Sequence, residues 1–587
     1  MKKIISLLLV LSLLCILSCS NGNPTTPTAE AIADAPFFAK SSDEMFSDRD
    51  MQAEYDASKA VTVQLNGDTV TASSDAVRIS GSTVILSQEA TYIFSGTLNN
   101  GMIVVNAKDT AKIQIVFNGV TITSPTSAAL YVLEADKVFL TLSPNTTNSL
   151  ANGGSFVAID ENNIDAVIFS KQDLTLNGAG TLNVSSPVGH GIVCKDDLVI
   201  TGGTYTVTSA SHGLDANDSI RITNASITVN AGKDAIHSDN EEDAEKGFVY
   251  IECGTYVLSS AGDGISATSH LQICGGDFSI ITGGGSENGE QKTSDNWGDF
   301  GGPGGGGRPP MPRSTTTVSA TTDNDSSSSI KGLKADVSIL ITNGSFVLDC
   351  ADDAVHTNGS AYIQGGSFSI ETGDDAFHAD VKLCISGGRV NITESYEGLE
   401  ALNVEVLGGE IRLVASDDGI NAAGGNDASG TGGNRGDDGF GGPGGASNGS
   451  IQIAGGSVYI KADGDGIDAN GTLSITGGSV TVCGPTSGDT AVLDYDVSAG
   501  ISNATFIGTG AMQMAQTISS STQGVLSIRG SGTAGTTITV ADADGTVLIS
   551  TTPEYAYQLI IISSPTIEKG KAYTVTAGTA TGEITAK

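Results

Sequence analysis

The amino-acid sequence predicts an all-β chain wound as a parallel β-helix, a solenoid with about 22 residues per coil. A Gly-Gly turn recurs at a regular interval, and its second glycine stands at Gly366, Gly388 and Gly409. Between the turns, apolar and polar residues alternate with the period of half-buried strands. Gly, Thr, Ser and β-branched residues dominate the copies, which disfavours helical repeats.

Copies of the turn continue along most of the chain, and Ala225 replaces the glycine in one of them. The glycines at the second turn position, which serve as markers, are Gly203, Gly254, Gly276, Gly344, Gly366, Gly388, Gly409, Gly456 and Gly478, and the residue before the marker is Cys253 or Asn343 in two copies. Most markers stand one period apart, and the longer steps that end at Gly254, Gly344 and Gly456 indicate copies with insertions. Each copy is too small to bury its own apolar face, so the copies must stack. The Leu/Asn signature of leucine-rich repeats, which have similar periods, is missing.

Composition limits the partners of the protein. The 587 residues carry a formal net charge of −38, which repels nucleic acid and anionic membranes and attracts cations. A hydrophobic content of 39%, arranged in regular alternation, argues against general disorder. We therefore expect no nucleic-acid partner. We also expect a monomer that contacts the membrane only through a lipid.

The N-terminus predicts export. Residues 1–19 contain two lysines and an apolar run and end in a cysteine, which is typical of a secretion signal. Ile16–Cys19 (ILSC) resembles the bacterial lipobox and predicts cleavage before Cys19 and lipidation of that residue. An ordinary signal peptide that contains a cysteine is the alternative. The expected location is the bacterial cell envelope, at the outer surface or in the periplasm.

The rest of the chain divides by composition. Residues 20–45 read as a flexible tether and residues 46–500 as the β-helix, whose first residues are predicted to form a short capping helix. Residues 501–587 alternate without the period of the repeat and predict a C-terminal β cap that protects the last open edge.

Two Gly-rich inserts, 283–329 and 423–448, interrupt the repeat and share the string FGGPGG. Gly and Pro at this density do not form regular structure, so mobile surface loops are one interpretation. The other is a binding lid that carries Trp297, Phe300 and Phe440.

An acidic corner follows the strand after each Gly-Gly turn, as in Asp463, Asp465 and Asp468 around Ile467. Stacking places equivalent acids about 4.8 Å apart. Two carboxylates at that distance repel by about 3 kcal/mol at an effective dielectric of 20, so they must take up protons or share cations. Calcium fits, because it accepts six to eight oxygens in loose geometry. The predicted calcium ligands are Asp352, Asp353, Asp374, Asp375, Glu397, Glu400, Asp417, Asp418, Asp463, Asp465 and Asp468.

Two alternatives concern the same corners. Asp side chains commonly accept hydrogen bonds from turn amides, which would make the acids structural. His237, His356 and His378 are either ligands of a transition metal or hydrogen-bonded partners of the acids.

Long motifs in the chain resemble a known family. The motifs are ENNIDAVIFSKQDLTLNGAGTLNVSSPVGHGIVCKDDLVITGG, TESYEGLEAL, SDDGINAAGGND, FGGPGG and ADGDGIDANGTLSITGG. They are similar to bacterial exported carbohydrate-binding-domain proteins, from about Phe46 to the C-terminus. The resemblance implies a right-handed parallel β-helix, bound calcium and binding of cellulose-type or acidic, pectin-like polysaccharides. His212 replaces an acid at one corner, and aromatic residues for a sugar platform are few.

We therefore predict non-catalytic, calcium-dependent polysaccharide binding at the cell surface. A calcium-dependent uronate lyase is the first alternative, because such enzymes need calcium and a basic residue. Its candidate bases near the corners are Lys233, Lys331, Lys334 and Lys461. A surface adhesin or structural lipoprotein with a protein partner is the second alternative.

Overall fold

The structure is a computed structural model, and it describes residues 39–289, 329–423, 449–486 and 490–587. The predicted leader, Cys19 and the proposed lid residues Trp297, Phe300 and Phe440 lie outside these ranges. The described chain is almost entirely β and forms a solenoid dominated by parallel strand pairs. Helix is limited there to Ser42–Met45 and the 3-10 turn Ser286–Asn288. None of the described helices has the length and apolarity needed to cross a membrane.

Each coil contributes strands to three parallel sheets, which we number in the order that the chain visits them. Sheet I precedes the Gly-Gly turn, sheet II follows that turn, and sheet III follows the acidic corner. Paired residues in the regular coils are one repeat apart, as Ser345 pairs with Ser367 and Val355 with Phe377.

Three early strands run through sheets I and II, namely Val61–Gly67, Thr91–Leu98 and Lys112–Ser124. The other strands of sheet I are Lys137–Leu142, Asp173–Gly178, Asp197–Ile200, Ser219–Ile222, Phe248–Ile251, His270–Ile273, Ser338–Ile341, Ser360–Ile363, Ser450–Ile453, Thr472–Ile475, Ser498–Ile501 and Ser520–Ser521. Those of sheet II are Thr147–Asn152, Thr181–Ser186, Thr204–Ser209, Ala225–Ala231, Gly254–Ser260, Asp277–Thr282, Ser345–Cys350, Ser367–Thr372, Arg389–Glu394, Glu410–Ala415, Ser457–Ala462, Ser479–Cys483 and Thr505–Gly510.

Sheet III consists of Thr83–Leu86, Met102–Asn106, Leu130–Glu134, Ala166–Ser170, His190–Cys194, Leu214–Ala216, Ile236–Ser238, Ile265–Ala267, Leu333–Ala335, Val355–Thr357, Ile420–Ala422, Ile467–Ala469 and Asp494–Tyr495. Phe377–Ile385 and Leu399–Val406 continue from sheet III into sheet I of the next coil. Thr69–Ala72 and Val77–Ser80 form antiparallel hairpins at the start of the solenoid.

The C-terminal strands depart from the parallel pattern. Parallel pairing extends to Ser520–Ser521, beyond the predicted boundary at residue 500. Tyr557–Ser563 then pairs antiparallel with Thr505–Gly510 of sheet II and with Val525–Gly532. A separate antiparallel sheet contains Ile538–Ala541, Val547–Thr551, Ala572–Ala577 and Ala580–Thr585.

The inward side chains form one apolar core along the solenoid. Equivalent residues of successive coils stack, and the rings of Tyr256, Phe278, Phe346 and Phe368 lie 4.5 to 4.8 Å apart with planes within 5°. All nine marker glycines of the Gly-Gly turns have positive φ. A side chain at that backbone conformation is strained, which explains why glycine recurs there. At Gly366 an added Cβ would also lie 3.0 Å from a carbonyl of the preceding coil.

Residues 40–52, which we call the N-terminal strap, lie along the outer surface of sheet I. The Lys40 N–H donates to Gln272 at 2.7 Å, and Thr175 donates to Asp50 at 2.6 Å. The strap therefore crosses several coils of sheet I and leaves the corner between sheets II and III uncovered by this segment.

Candidate metal centre

The corner between sheets II and III carries two polar or charged positions in most coils, three residues apart. They flank a buried apolar residue, as Asp465 and Asp468 flank Ile467, which is fully buried. Backbone hydrogen bonds and strand register stack the equivalent positions of successive coils. We call these two stacked rows the corner ladder.

The first row of the corner ladder contains His190, His212, Asp234, Asp263, Lys331, Asp353, Asp375, Glu397, Asp418 and Asp465. The second row contains Asp215, His237, Ser266, Lys334, His356, His378, Glu400, Asn421, Asp468 and Asp494. Each row thus runs through ten coils.

One carboxylate oxygen of the first-row acids accepts a hydrogen bond from a backbone N–H of the next coil. Asp353 Oδ1 accepts the Asp375 N–H at 3.0 Å, and Asp418 Oδ1 accepts the Asp465 N–H at 2.5 Å. This contact is the structural role that turn chemistry predicts for Asp. The second oxygen has a different partner in Asp353, whose Oδ2 lies 2.7 Å from Lys331 Nζ. The amide-binding and ion-binding roles therefore use different oxygens of one carboxylate.

The ladder from His190 to His378, which we call the paired segment, contains its own cations. Lys331 is 2% exposed, and its ammonium lies 2.7 Å from Asp353 Oδ2 and 3.1 Å from Asp352 Oδ2. Burial disfavours the charged form of Asp353, but Lys331 and His356 nevertheless hold its pKa well below the usual value.

Histidines and Lys334 supply the remaining positive charge in the paired segment, and Lys334 Nζ lies 3.8 Å from Asp263 Oδ2. His237 Nδ1 lies 2.9 Å from Asp215 Oδ1. Burial opposes ionisation of both groups, yet their attraction lowers the pKa of Asp215 to about 2 and raises that of His237 to about 9. At the end of the segment, His378 Nδ1 lies 2.6 Å from Glu400 Oε2 and 3.3 Å from Asp375 Oδ2.

The ladder from Glu397 to Asp494, which we call the acidic segment, has a different composition. Its residues are Glu397, Glu400, Asp418, Asn421, Asp465, Asp468 and Asp494. Burial and the neighbouring carboxylates raise the pKa of Glu397 and Asp418 well above their usual values. Burial and Asp494 raise the pKa of Asp468 to about 6, and burial raises that of Asp465 to about 7. Stacked carboxylates in this segment thus resist ionisation.

Two buried oxygens in the acidic segment have no hydrogen-bond partner within the described residues. They are Glu397 Oε2 and Asn421 Oδ1, and Asn421 is only 8% exposed. The Asn421 amide donates to Glu397 Oε1 at 3.1 Å, so the two side chains are held against each other. Carboxylate and amide oxygens without nitrogen or sulfur donors are the set that calcium prefers. The residues present therefore fit a calcium ion.

The predicted calcium ligands are distributed over both segments. Asp352, Asp353 and Asp375 lie beside Lys331, His356 or His378, so the chain supplies cations to them. Asp374 is buried in the same coil as Asp375. Glu400 stands at the boundary, in contact with His378.

The acidic segment brings together the predicted ligands Glu397, Asp418, Asp465 and Asp468. Asp417 is adjacent to Asp418 and is among the charges that raise the Asp418 pKa. Asp463 differs from these residues because it is exposed.

Sequence inspection missed four members of the ladder, namely His190, Lys331, Lys334 and Asp494. Lys331 and Lys334 occupy the two corner positions of one coil, because Leu333 pairs with Val355 and with Ile265. The string KGLK has the same pattern as DGIS and DGID, in which two polar residues flank a glycine and an apolar residue. The insert before KGLK breaks the 22-residue spacing, so this coil was not recognised. Asp494 was missed because the repeat is irregular there, although it pairs with Asp468.

The sequence of this chain matches a known protein family. A family model described as carbohydrate-binding domain-containing protein matches residues 80–376 and 376–551. The chain belongs to this family. The first match spans the paired segment up to Asp375, and the second spans the acidic segment, so family membership extends over the whole corner ladder.

Two known proteins are similar to parts of this chain. A carbohydrate-binding domain-containing protein of Acetivibrio thermocellus is 36% identical over 225 residues, which cover 38% of this chain and 79% of that protein. A solved structure of a polysaccharide lyase-like protein from C. thermocellum, a gadolinium derivative, is 32% identical and has a TM-score of 0.38. It covers 38% of this chain and 92% of its own.

Proposed function

We propose that this protein is a non-catalytic, calcium-dependent polysaccharide-binding protein of the bacterial cell surface. Membership of a carbohydrate-binding family supports the glycan ligand. The observation that carries the calcium proposal is the pair of partnerless buried oxygens, Glu397 Oε2 and Asn421 Oδ1, within a row of stacked carboxylates. Burying such groups without a partner is costly, and a hard cation relieves the cost.

The acidic segment is the proposed calcium site. Glu397, Asp418 and Asp465 each supply a carboxylate from successive coils, and Asn421, which donates to Glu397, adds a neutral oxygen. When bound, calcium supplies positive charge that lowers the repulsion between coils. An acidic glycan that lies along the corner can bind the same ions through its own carboxylates. One sugar carboxylate would then face each coil. A neutral, cellulose-type glycan would bind without this bridge.

We also propose that the solenoid is a right-handed parallel β-helix with about 22 residues per coil and a small C-terminal cap. Pairings between residues one repeat apart, as between Ser345 and Ser367, support the coil length. The antiparallel strand Tyr557–Ser563 covers the last strand of sheet II and supports the cap. An exposed parallel edge would invite pairing with other chains, so a cap is the expected end of a solenoid.

We further propose that the protein is exported and anchored by a lipid on Cys19. The leader and the ILSC sequence support this proposal. Replacing Cys19 by Ala should move the protein from the membrane fraction to the soluble fraction. If the Cys19→Ala protein stays in the membrane fraction, the proposed anchor is wrong.

The glycan proposal is tested by a glycan array that contains cellulose-type and pectin-type polysaccharides. We expect binding to acidic glycans in calcium, loss of that binding with a chelator, and little effect of the chelator on neutral glucans. The triple variant Asp418→Asn, Asp465→Asn and Asp468→Asn should behave in calcium like the wild type with chelator. Absence of binding to every glycan would contradict the proposal and favour a protein partner.

A uronate lyase remains the second candidate, because a groove of about 810 Å³ beside the paired segment contains Lys233 and Lys334. The other two candidate bases are engaged elsewhere, since Lys331 is buried against Asp353 and Lys461 contacts Glu554 at 3.6 Å. Incubation with polygalacturonate separates the two functions. Steady growth of absorbance from unsaturated products, abolished by Lys334→Met, would establish the lyase instead of the binding protein.

A further inference from the structure

Five of the six histidines of the chain lie on the corner ladder, and three of them form a continuous stack. The rings of His190 and His212 are 5.1 Å apart, and those of His212 and His237 are 4.5 Å apart. The carboxylate of Asp234 lies beside the second pair. This arrangement places two imidazoles and one carboxylate on neighbouring coils.

The distances within this group are close to those of a metal polyhedron. Asp234 Oδ2 lies 3.3 Å from His212 Nδ1 and 4.0 Å from His237 Nε2. Metal bonds of about 2.1 Å to nitrogen and oxygen require ligand atoms about 3.0 to 3.4 Å apart. The first distance already matches, and a small rotation of the His237 ring brings the second into range.

The ring nitrogens that face Asp234 are held in position by neighbouring groups. His212 Nδ1 accepts the Asp234 N–H at 3.3 Å, a long hydrogen bond that a metal on this nitrogen would replace. The other nitrogen of His237, Nδ1, lies 2.9 Å from Asp215 Oδ1. A carboxylate behind a ligating histidine fixes the ring and leaves Nε2 for the metal.

The group opens onto solvent on one side. His212, Asp234 and His237 line the groove of about 810 Å³, together with Asn240 and Lys334. A metal held by three protein ligands would therefore keep positions for water or a ligand oxygen.

A second group of histidines and an acid in the paired segment is already neutralised by a lysine. Asp353, His356 and His378 also lie within reach of one another. The Lys331 ammonium, however, lies 2.7 Å from Asp353 Oδ2, where a metal would have to bind. The group around Asp234 has its ion pairs with imidazoles, which can exchange a proton for a metal.

We propose that His212, Asp234 and His237 form a binding site for a first-row transition-metal dication of the zinc or cobalt type, separate from the calcium ligands. Two imidazoles and one carboxylate select such ions over calcium and magnesium, which prefer all-oxygen sites. Asp215 is the positioning residue for His237.

The test is titration of the untagged protein with Co²⁺, followed by visible absorption, and with Zn²⁺, followed by dialysis and elemental analysis. Calcium is kept in excess throughout. We expect one Co²⁺ per chain, with a visible d–d absorption band of the bound ion that Zn²⁺ removes. The His212→Gln and His237→Gln variants should lose this binding, and Asp215→Asn should weaken it by about 10- to 100-fold.

His270→Gln is the matched control, because His270 is the histidine outside the corner ladder and contacts Ser338 on sheet I. It should leave the Co²⁺ affinity unchanged. A wild-type protein without a saturable Co²⁺ band would overturn the proposal. So would equal Co²⁺ binding by wild type and His212→Gln, or equal losses in His270→Gln and His212→Gln. The wild-type result requires no variant to fold, and it is independent of glycan binding.

Discussion

The paired and acidic segments of the corner ladder have the same backbone register and opposite charge compositions. In the paired segment, Lys331 and several histidines lie among the acids. In the acidic segment, Glu397, Asp418, Asp465, Asp468 and Asp494 make no ion pair with Lys, Arg or His inside the described ranges. The solenoid therefore tolerates both arrangements of stacked charges, and only the acidic segment is left to take up protons or an external cation.

Removal of the internal cation should have the largest effect. Lys331→Met keeps the length of a side chain that is 2% exposed and leaves Asp352 and Asp353 without their ammonium. Breaking a buried ion pair costs about 3 to 5 kcal/mol. We expect that loss in the free energy of unfolding, measured in chelator by denaturant titration. Unchanged stability of Lys331→Met would show that the two segments do not differ in the way described.

Calcium should have the next largest effect, and it should act on the acidic segment. At free calcium 100-fold above the dissociation constant, one site adds roughly 2.7 kcal/mol to the free energy of unfolding. For a chain of this size the shift of the midpoint temperature is only a few degrees. Scanning calorimetry in calcium and in chelator measures it. The shift should persist in Lys331→Met, whose acidic segment is intact.

pH should affect the two segments in opposite directions. The folded pKa of Asp465 is about 7, above its ordinary value, so the folded state binds more protons than the unfolded state in that window. The contribution of Asp465 to the free energy of unfolding is present at low pH and is lost as the pH rises through about 7. The folded pKa of Asp215 is about 2, so its contribution is present above the ordinary value and is lost as the pH falls through about 2.

The apo protein should accordingly lose stability between about pH 4 and about pH 7, and saturating calcium should remove most of this loss. Denaturant midpoints in chelator and in calcium give the comparison. A loss of stability that is identical with and without calcium would assign the pH dependence to groups outside the acidic segment.

The smallest effect is expected at Asp463, which sequence analysis placed among the calcium ligands. Because Asp463 is exposed, Asp463→Asn should change the free energy of unfolding by less than about 0.5 kcal/mol. Calcium stabilisation should also be unchanged. A loss of calcium stabilisation in this variant would extend the site beyond the two rows of the ladder.

The sequence predicted those parts of the structure that repeat locally. The marker glycines identified the turns, because their positive φ excludes most other residues. The alternation of Val458 and Ile460 with polar neighbours identified inward strand positions, and both residues are buried. Family membership was also correctly inferred from the quoted motifs.

The partners of each acid were not predictable, because they depend on which coils are neighbours. The insert 283–329 separates Lys331 in sequence from the coil on which it stacks, so its neighbour Asp263 is invisible to local periodicity. The N-terminal strap is a second case. Lys40 bonds to Gln272, and no local pattern in residues 40–52 encodes a partner that is so distant along the chain.

Calorimetric titration of the wild-type protein with calcium, after removal of metal by chelator, tests the central claim most directly. Asp463→Asn serves as the control, and the triple variant Asp418→Asn, Asp465→Asn and Asp468→Asn as the comparison. We predict saturable calcium uptake by the wild type and by Asp463→Asn, and its loss in the triple variant. The triple variant should also be more stable than the wild type in chelator, because three repelling carboxyl groups are gone. A wild-type protein that takes up no calcium would contradict the account of the acidic segment.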